Sequence, residues 1–135
     1  MAESIVKEKS YKFALKVIDL YRFLLKENEY VISRQLLKAG TSIGANVEEA
    51  LAGQSRADFR SKMSIASKEA RETKYWLRLL IDSKFVTRDR ASELMNEIED
   101  IVRILSSIVK TVSVNSKLPA TRLWRVRQRS SGGKT

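Results

Sequence analysis

Cysteine and histidine are both absent from the sequence, and each absence removes a kind of chemistry. Without cysteine the chain has no disulfide, no thiolate nucleophile and no zinc–thiolate site. Without histidine it lacks the commonest metal ligand and the commonest general base near neutral pH. We therefore expect no enzyme activity, no cofactor and no bound metal ion.

Helix breakers are scarce as well, because the 135 residues include one proline, Pro119, and five glycines. An interior with so few breakers favours helix almost throughout. There is no apolar run of about 18 residues, so no segment is expected to span a membrane. Charged residues begin at Glu3, so we expect no secretory signal. We expect one domain, located in the cytoplasm.

Apolar residues recur at helical spacing along four stretches of the chain. The spacing predicts helices over residues 4–28, 34–52, 56–82 and 88–113. Four amphipathic helices joined by short links pack most simply side by side. The prediction is therefore an all-α protein, an antiparallel up-down-up-down four-helix bundle over residues 1–115.

Small polar residues and one glycine stand at the predicted helix ends. Ser33, Ser55 and Thr87 are expected to be the N-caps of the second, third and fourth helices. Gly53 is expected in the left-handed conformation just after the second helix.

Apolar side chains at helical spacing predict the buried faces of the first and third helices. For the first helix, the predicted buried face is Ala14, Val17, Ile18, Tyr21, Leu24 and Leu25, with Phe13 beside it and Lys16 on the wet side. For the third helix, it is Phe59, Met63, Ala66, Ala70, Thr73, Leu77 and Leu80. A second apolar strip on the third helix (Ile65, Trp76 and Leu79) calls for another partner, which we expect to be a neighbouring subunit.

The second helix carries two glycines, Gly40 and Gly44, on one face beside Ile43 and Val47. Each glycine in a helix interior costs about 1 kcal/mol relative to alanine. Close packing of another helix would offset that cost, and we expect this narrow helix to be the one around which the other three pack. The alternative is that this segment is a weak helix in which the glycines are merely tolerated and have no packing role.

Positive charge is concentrated at the C-terminal end. The net charge is +10, and six of the 26 basic residues lie in residues 116–135, which contain no acidic residue. We interpret these residues as a basic, flexible tail beyond the bundle. The asymmetry favours a polyanionic partner, although a solvated tail is the alternative.

Basic residues also form a line along the third helix, and an aromatic residue lies among those of the tail. The candidate nucleic-acid-binding residues are Lys68, Arg71, Lys74 and Arg78 in the helix and Lys117, Arg122, Trp124, Arg125, Arg127 and Arg129 in the tail. The Trp124 ring could stack on an unpaired base, or it could dock on the bundle with its apolar neighbours. For the helix, the alternative is an ordinary solvated face. A surface of this kind favours phosphate and shape over sequence.

Three other kinds of site are excluded by their missing partners. Glu69 and Glu72 have the spacing of a carboxylate metal site, but no histidine completes it. We expect these two carboxylates to pair with Lys68, Arg71 or Lys74 instead, either on the surface of one chain or between subunits. A serine nucleophile would need a lysine or a carboxylate as its base, and nothing in Ser64 or Ser67 indicates activation. The terminal Gly-Gly-Lys-Thr lacks the first glycine and the following helix of a phosphate-binding loop.

Two separated motifs resemble a known family. They are the segment Gly40 to Ala50 and the segment Glu69 to Leu77, and the best-matched positions are Ser42, Ile43, Asn46, Glu49, Glu69 and Glu72. They resemble the bacterial four-helix-bundle proteins encoded in intervening sequences of 23S ribosomal RNA genes. The same family includes the accessory variability determinant of diversity-generating retroelements.

The resemblance implies a homopentameric ring of antiparallel bundles. It also implies nucleic acid as a partner, RNA rather than DNA, together with a reverse transcriptase in the retroelement branch. No member is known as an enzyme. The matched polar positions are then packing or inter-subunit contacts rather than catalytic groups.

Two hypotheses of function follow from these patterns. In the first, a non-enzymatic ring binds structured RNA or an RNA–DNA hybrid through its basic surfaces. In the second, the protein is a scaffold without a nucleic-acid role, in which an acidic ridge on the fourth helix meets the basic line of a neighbour. That ridge consists of Asp89, Glu93, Glu97 and Asp100.

Overall fold

The computed structural model describes residues 1–115, and within them it confirms the all-α four-helix bundle. The helices are α1 (Ala2–Lys26), α2 (Ile32–Ala52), α3 (Arg56–Asp82) and α4 (Arg88–Asn115). Each helix packs against the next along the chain and α4 closes back onto α1, while the diagonal pairs hardly touch. This is the arrangement of an up-down-up-down bundle.

The helix boundaries follow the sequence pattern closely where a capping side chain is present. The Ser55 hydroxyl accepts a hydrogen bond from the Asp58 N–H at 3.0 Å, and α3 has the predicted bounds. The Thr87 hydroxyl accepts one from the Arg90 N–H at 3.1 Å. Both predicted caps are therefore confirmed. Elsewhere the ends of α1, α2 and α4 differ from the predicted ends by two residues.

The start of α2 is different, because Ser33 is not its cap. Ser33 is buried inside the first turn, and its hydroxyl donates to the Glu29 carbonyl. The free N–H groups of Val31, Ile32 and Ser33 instead donate to the Glu29 carboxylate, which is buried between the helices. The prediction for Ser33 was wrong because a carboxylate from the preceding link occupies the capping position.

Gly53 also departs from prediction, since its backbone is extended, with φ −66° and ψ 157°. Left-handed geometry is therefore not the reason for a glycine here. A Cβ atom at this position would collide with the carboxylate of Asp58. The glycine leaves room for the first turn of α3 to approach the end of α2.

The two glycines of α2 are buried against α1, as close packing requires. A Cβ atom on Gly40 would lie 2.9 Å from Cγ2 of Val17. A Cβ atom on Gly44 would lie 3.3 Å from the Ser10 hydroxyl oxygen and 3.5 Å from the Ser10 carbonyl oxygen. The predicted close approach is confirmed. It involves one neighbour rather than three, because the glycines face α1, and α2 packs against α1 and α3 but hardly touches α4.

The core confirms the predicted faces of α2 and α3 and corrects that of α1. The seven residues predicted for α3 are all buried, and the apolar faces of α2 and α4 are buried or half-buried. The buried residues of α1 are Val6, Ser10, Phe13, Val17, Leu20 and Leu24. Ala14, Ile18, Tyr21 and Leu25 are only half-buried. Among residues 1–115, no helix is long and apolar enough to cross a bilayer.

Candidate nucleic-acid interface

A line of basic side chains runs along the outer face of α3. Lys68, Arg71 and Arg78 are exposed, and together with Tyr75 they lie at helical spacings of three, four and three. The line is about 15 Å long at 1.5 Å per residue. None of the three cations forms an ion pair with a carboxylate within residues 1–115. We call these four residues the α3 ridge.

Tyr75 gives the ridge an aromatic element between its basic residues. Its ring is 51% exposed. It contacts the half-buried Trp76 edge to face, with the ring centroids 5.1 Å apart. An exposed ring held by a neighbour and flanked by cations is suited to contact a nucleic-acid base or sugar while the cations contact phosphates.

Lys74 does not belong to the ridge. Its side chain is half-buried on the flank of α3, and its ammonium group lies 3.5 Å from the Glu99 carboxylate of α4. Lys74 therefore links α3 to α4. The six candidates in the C-terminal segment lie outside the described residues: Lys117, Arg122, Trp124, Arg125, Arg127 and Arg129.

The motif residues of α2 serve mainly the helix itself. The Asn46 amide donates to the Ser42 carbonyl at 2.9 Å, and the Ser42 hydroxyl donates to the Lys38 carbonyl at 2.7 Å. Ile43 is buried in the core. Glu49 reaches α3, where its carboxylate lies 3.1 Å from the Lys62 ammonium group. Of these positions, Glu49 connects α2 to α3, and the others stabilise α2 itself or its packing in the core.

Glu69 and Glu72 lie on the side of α3 next to α2. Burial, followed by the charge of Glu72, raises the pKa of Glu69, while Lys68 and Lys38 of α2 act in the opposite direction. Neither carboxylate forms an ion pair in the described part of the chain, so the predicted pairing with Lys68, Arg71 or Lys74 is not found within one chain, and the pairing between subunits stays a prediction. A positive charge placed beside Glu69 would lower this pKa again.

The acidic ridge of α4 is largely engaged by the chain itself. The ammonium group of Lys16 on α1 lies 2.7 Å from the Glu93 carboxylate and also contacts the Glu97 carboxylate. These hydrogen bonds raise the pKa of Lys16, and the bond from Lys16 lowers the pKa of Glu93. Lys16 therefore joins α1 to α4 rather than facing water as predicted.

Two other features were not predicted, because each needs two helices. One is the Lys16 contact with α4. The other is an open cleft of about 410 Å³ where the end of α3 meets the start of α4, with Arg78 and Arg88 on its rim. Clusters of three or more histidine, cysteine or carboxylate side chains that could hold a metal ion do not occur within residues 1–115.

The fold and surface define a four-helix-bundle protein with an exposed basic ridge along its third helix. The model of the 23S rRNA-intervening sequence protein family matches residues 2–107. The chain belongs to this family, and the resemblance of its two motifs is confirmed. No curated protein matches the chain.

A solved structure is similar over most of the chain. It is the crystal structure of a protein of unknown function from the S23 ribosomal protein family of Bacteroides thetaiotaomicron. The two sequences are 48% identical, the match covers 82% of this chain and 99% of the other, and the TM-score is 0.79.

Proposed function

We propose that this protein is a non-enzymatic, oligomeric protein that binds structured RNA, or an RNA–DNA hybrid, through the α3 ridge. The observation that carries the proposal is the placement of Lys68, Arg71 and Arg78 on one exposed line without ion pairs inside the described chain. Cations already paired with carboxylates would have to break those pairs to bind phosphate. The ridge cations do not.

The net charge of +10 and the family support the same proposal. A protein with this excess of positive charge attracts polyanions at long range. The family description refers to intervening sequences of 23S rRNA, which makes ribosomal RNA the natural first ligand to test. In this proposal the protein acts beside RNA in the cytoplasm, and an accessory role with a reverse transcriptase stays a prediction from the resemblance.

The test is RNA binding at several salt concentrations, measured by fluorescence anisotropy with a structured fragment of 23S rRNA. The variant Lys68→Ala/Arg71→Ala/Arg78→Ala is expected to bind more weakly. Its slope of log K against log salt is expected to be smaller by about two to three, because each phosphate contact contributes about 0.7–0.9.

The matched control is Lys12→Ala/Arg22→Ala/Arg103→Ala, which removes the same number of charges. Each of these side chains pairs with an acidic residue on its own helix. The control is expected to keep most of the salt slope. Absence of binding near physiological ionic strength, or affinity independent of salt, would count against the proposal.

We also propose that copies of the chain associate in the ring of five that the resemblance implies. The proposed contact is a strip on the flank of α3 next to α2. Ile65 is 38% exposed on this strip, and the buried indole N–H of Trp76 has no acceptor within the described residues. Glu69 and Glu72 lie between them. A second copy could cover Ile65 and supply a cation for these carboxylates.

The scaffold alternative uses the acidic ridge of α4 as its interface, but most of this ridge already contacts basic residues of the same chain. Glu93 and Glu97 hold Lys16, and Asp100 contacts Arg103. Asp89 is the one member of the acidic ridge that forms no ion pair inside residues 1–115. An interface built from this ridge and a neighbour's basic line would have to break contacts that the single chain already makes.

A further inference from the structure

The cleft between the end of α3 and the start of α4 continues the α3 ridge. Arg78 belongs to both, since it is the last cation of the ridge and lines the cleft. Arg88 of α4 lines it from the opposite helix, and an adjoining cavity includes Lys84 from the connecting turn. A phosphate chain that follows the ridge therefore reaches an opening with basic residues on both sides.

The interior of the cleft differs chemically from its rim. Ile81 and Met95 are half-buried and provide an apolar surface that rests on the bundle core. Asp82 and Asn96 provide polar groups beside it. The Asn96 amide can donate and accept hydrogen bonds, whereas the Asp82 carboxylate only accepts them. A flat apolar ligand with donors and acceptors around its edge would satisfy both parts.

A nucleotide base has this chemistry. Its face can lie against aliphatic and thioether groups, of which a methionine sulfur is especially favourable to aromatic rings. Its edge can reach the Asn96 amide and the Asp82 carboxylate, and its phosphates can reach Arg78 and Arg88. The volume of about 410 Å³ lies within the range of about 300–1,000 Å³ found for small-molecule sites.

We propose that this cleft binds one unpaired nucleotide of the RNA that lies along the α3 ridge. The inference rests on the proposed function and adds a substrate class to it, RNA with a bulged or looped-out base. A base inside a perfect duplex cannot enter, because its face and its pairing edge are already covered. The Asp82 carboxylate disfavours a phosphate placed beside it, so the base is assigned to the side of the cleft with Asp82 and Asn96 and the backbone to Arg78 and Arg88.

The experiment compares two RNA hairpins that differ only in one bulged adenosine, with the full chain as the binding protein. The wild-type protein is expected to bind the bulged hairpin about fivefold or more tightly than the paired one, the combined effect of a methionine–ring contact and one hydrogen bond. In Asn96→Ala the preference is expected to fall by about threefold or more, through loss of a hydrogen bond to the base edge.

Two further variants separate the cleft from the ridge. Gln35→Ala removes an exposed amide from α2 and is expected to leave the preference unchanged. Lys68→Ala is expected to weaken binding of both hairpins equally, because it contacts phosphate.

Each other outcome has a distinct meaning. Equal affinity of the wild-type protein for both hairpins overturns the cleft inference and leaves the RNA-binding function standing. An Asn96→Ala variant that keeps the full preference, or that loses affinity equally for both hairpins, also overturns the inference. Failure to bind either hairpin overturns the proposed function together with it.

Discussion

Glu29 is a buried carboxylate whose ionisation is tied to the first turn of α2. Burial raises the pKa of Glu29, but the hydrogen bonds from the N–H groups of Ile32, Ser33 and Val31 outweigh it. The net result is a pKa below the ordinary value of 4.5. Folding therefore favours the charged form of Glu29. This form accepts hydrogen bonds from N–H groups at the start of α2 that have no partner within the helix.

Replacing this carboxylate with an amide should destabilise the protein in a pH-dependent way. A lowered pKa means that Glu29 contributes stability above its ordinary pKa, and that this contribution is lost as pH falls through the folded-state pKa. Glu29→Gln is expected to lower the free energy of unfolding by about 1–2 kcal/mol at pH 7, the usual value of a capping group. The difference from wild type should shrink in strong acid.

Urea unfolding at pH 7 and at pH 3 measures the effect of this substitution. Glu27→Gln is the matched control, because it makes the same change on an exposed side chain two residues away. The control should leave the free energy of unfolding nearly unchanged. A Glu29→Gln variant equally destabilised at both pH values would show that packing, rather than charge, is what the glutamate contributes.

This cap shows why single-residue roles were only partly predictable. Ser55 and Thr87 cap their helices as their residue types indicate, because the hydroxyl of an N-cap reaches an N–H two or three residues ahead. Glu29 acts from outside the helix, through a link whose course the sequence pattern does not specify. Ser33 had the right residue type in a position that the chain uses differently.

At the scale of helices, the contact between α1 and α2 depends on Gly40. Alanine at this position should gain about 1 kcal/mol of helix propensity. Its methyl group would press on Val17, which is buried and stiff because it is β-branched. Overpacking costs about 1–3 kcal/mol. Gly40→Ala is therefore expected to destabilise the protein by about 1 kcal/mol in net terms.

A double-mutant cycle tests whether the contact is responsible. In a Val17→Ala background the methyl group has room, so Gly40→Ala is expected to stabilise by about 1 kcal/mol. Ala45→Gly, at an exposed position of α2, calibrates the propensity effect alone. Denaturant unfolding of the four proteins of the cycle and the control gives the coupling energy. A stabilising Gly40→Ala in the wild-type background would contradict the close approach.

The apolar faces of the helices were predictable to different degrees. On α3 the core positions form one continuous line, and every predicted residue is buried. On α1 apolar residues occur on several sides, and Leu15 is 49% exposed. The side of α1 that turns toward the core is determined by its neighbours, because Val17 and Ser10 pack against the glycines of α2. Spacing along α1 alone does not contain that information.

At the scale of the whole molecule, some features of the candidate site could be predicted from the sequence and others could not. Lys68, Arg71 and Arg78 could be predicted from spacing because they share one helix. Lys74 could not be separated from them, since its partner Glu99 lies on α4. The cleft required the end of α3 and the start of α4 to be placed together. Features within one element are therefore predictable, while features between elements needed the fold.

Assembly is the prediction that belongs to this scale. Light scattering of the full chain at micromolar concentration is expected to give a mass several times that of one copy, 15.4 kDa. Ile65→Glu is expected to shift the mass toward that of the monomer, because it places a charge beside Glu69 on the proposed contact strip. Truncation of residues 116–135 is expected to keep assembly and to weaken RNA binding.

The control for Ile65 is Ser64→Glu, which adds the same charge one residue away on the outer face of α3. It should leave the mass unchanged. A monomeric wild-type protein, or equal effects of the two substitutions, would exclude the strip as the contact surface. Circular dichroism of both variants verifies that the helices are retained.

The Lys16 contact has a consequence for how the chain is made. Lys16 meets Glu93 and Glu97, residues 77 and 81 positions further along. During translation, α1 leaves the ribosome well before α4 exists. The side of α1 that α4 will cover is then open to water or to a chaperone. The bundle can close only when its last helix arrives, and the loop that closes spans most of the chain.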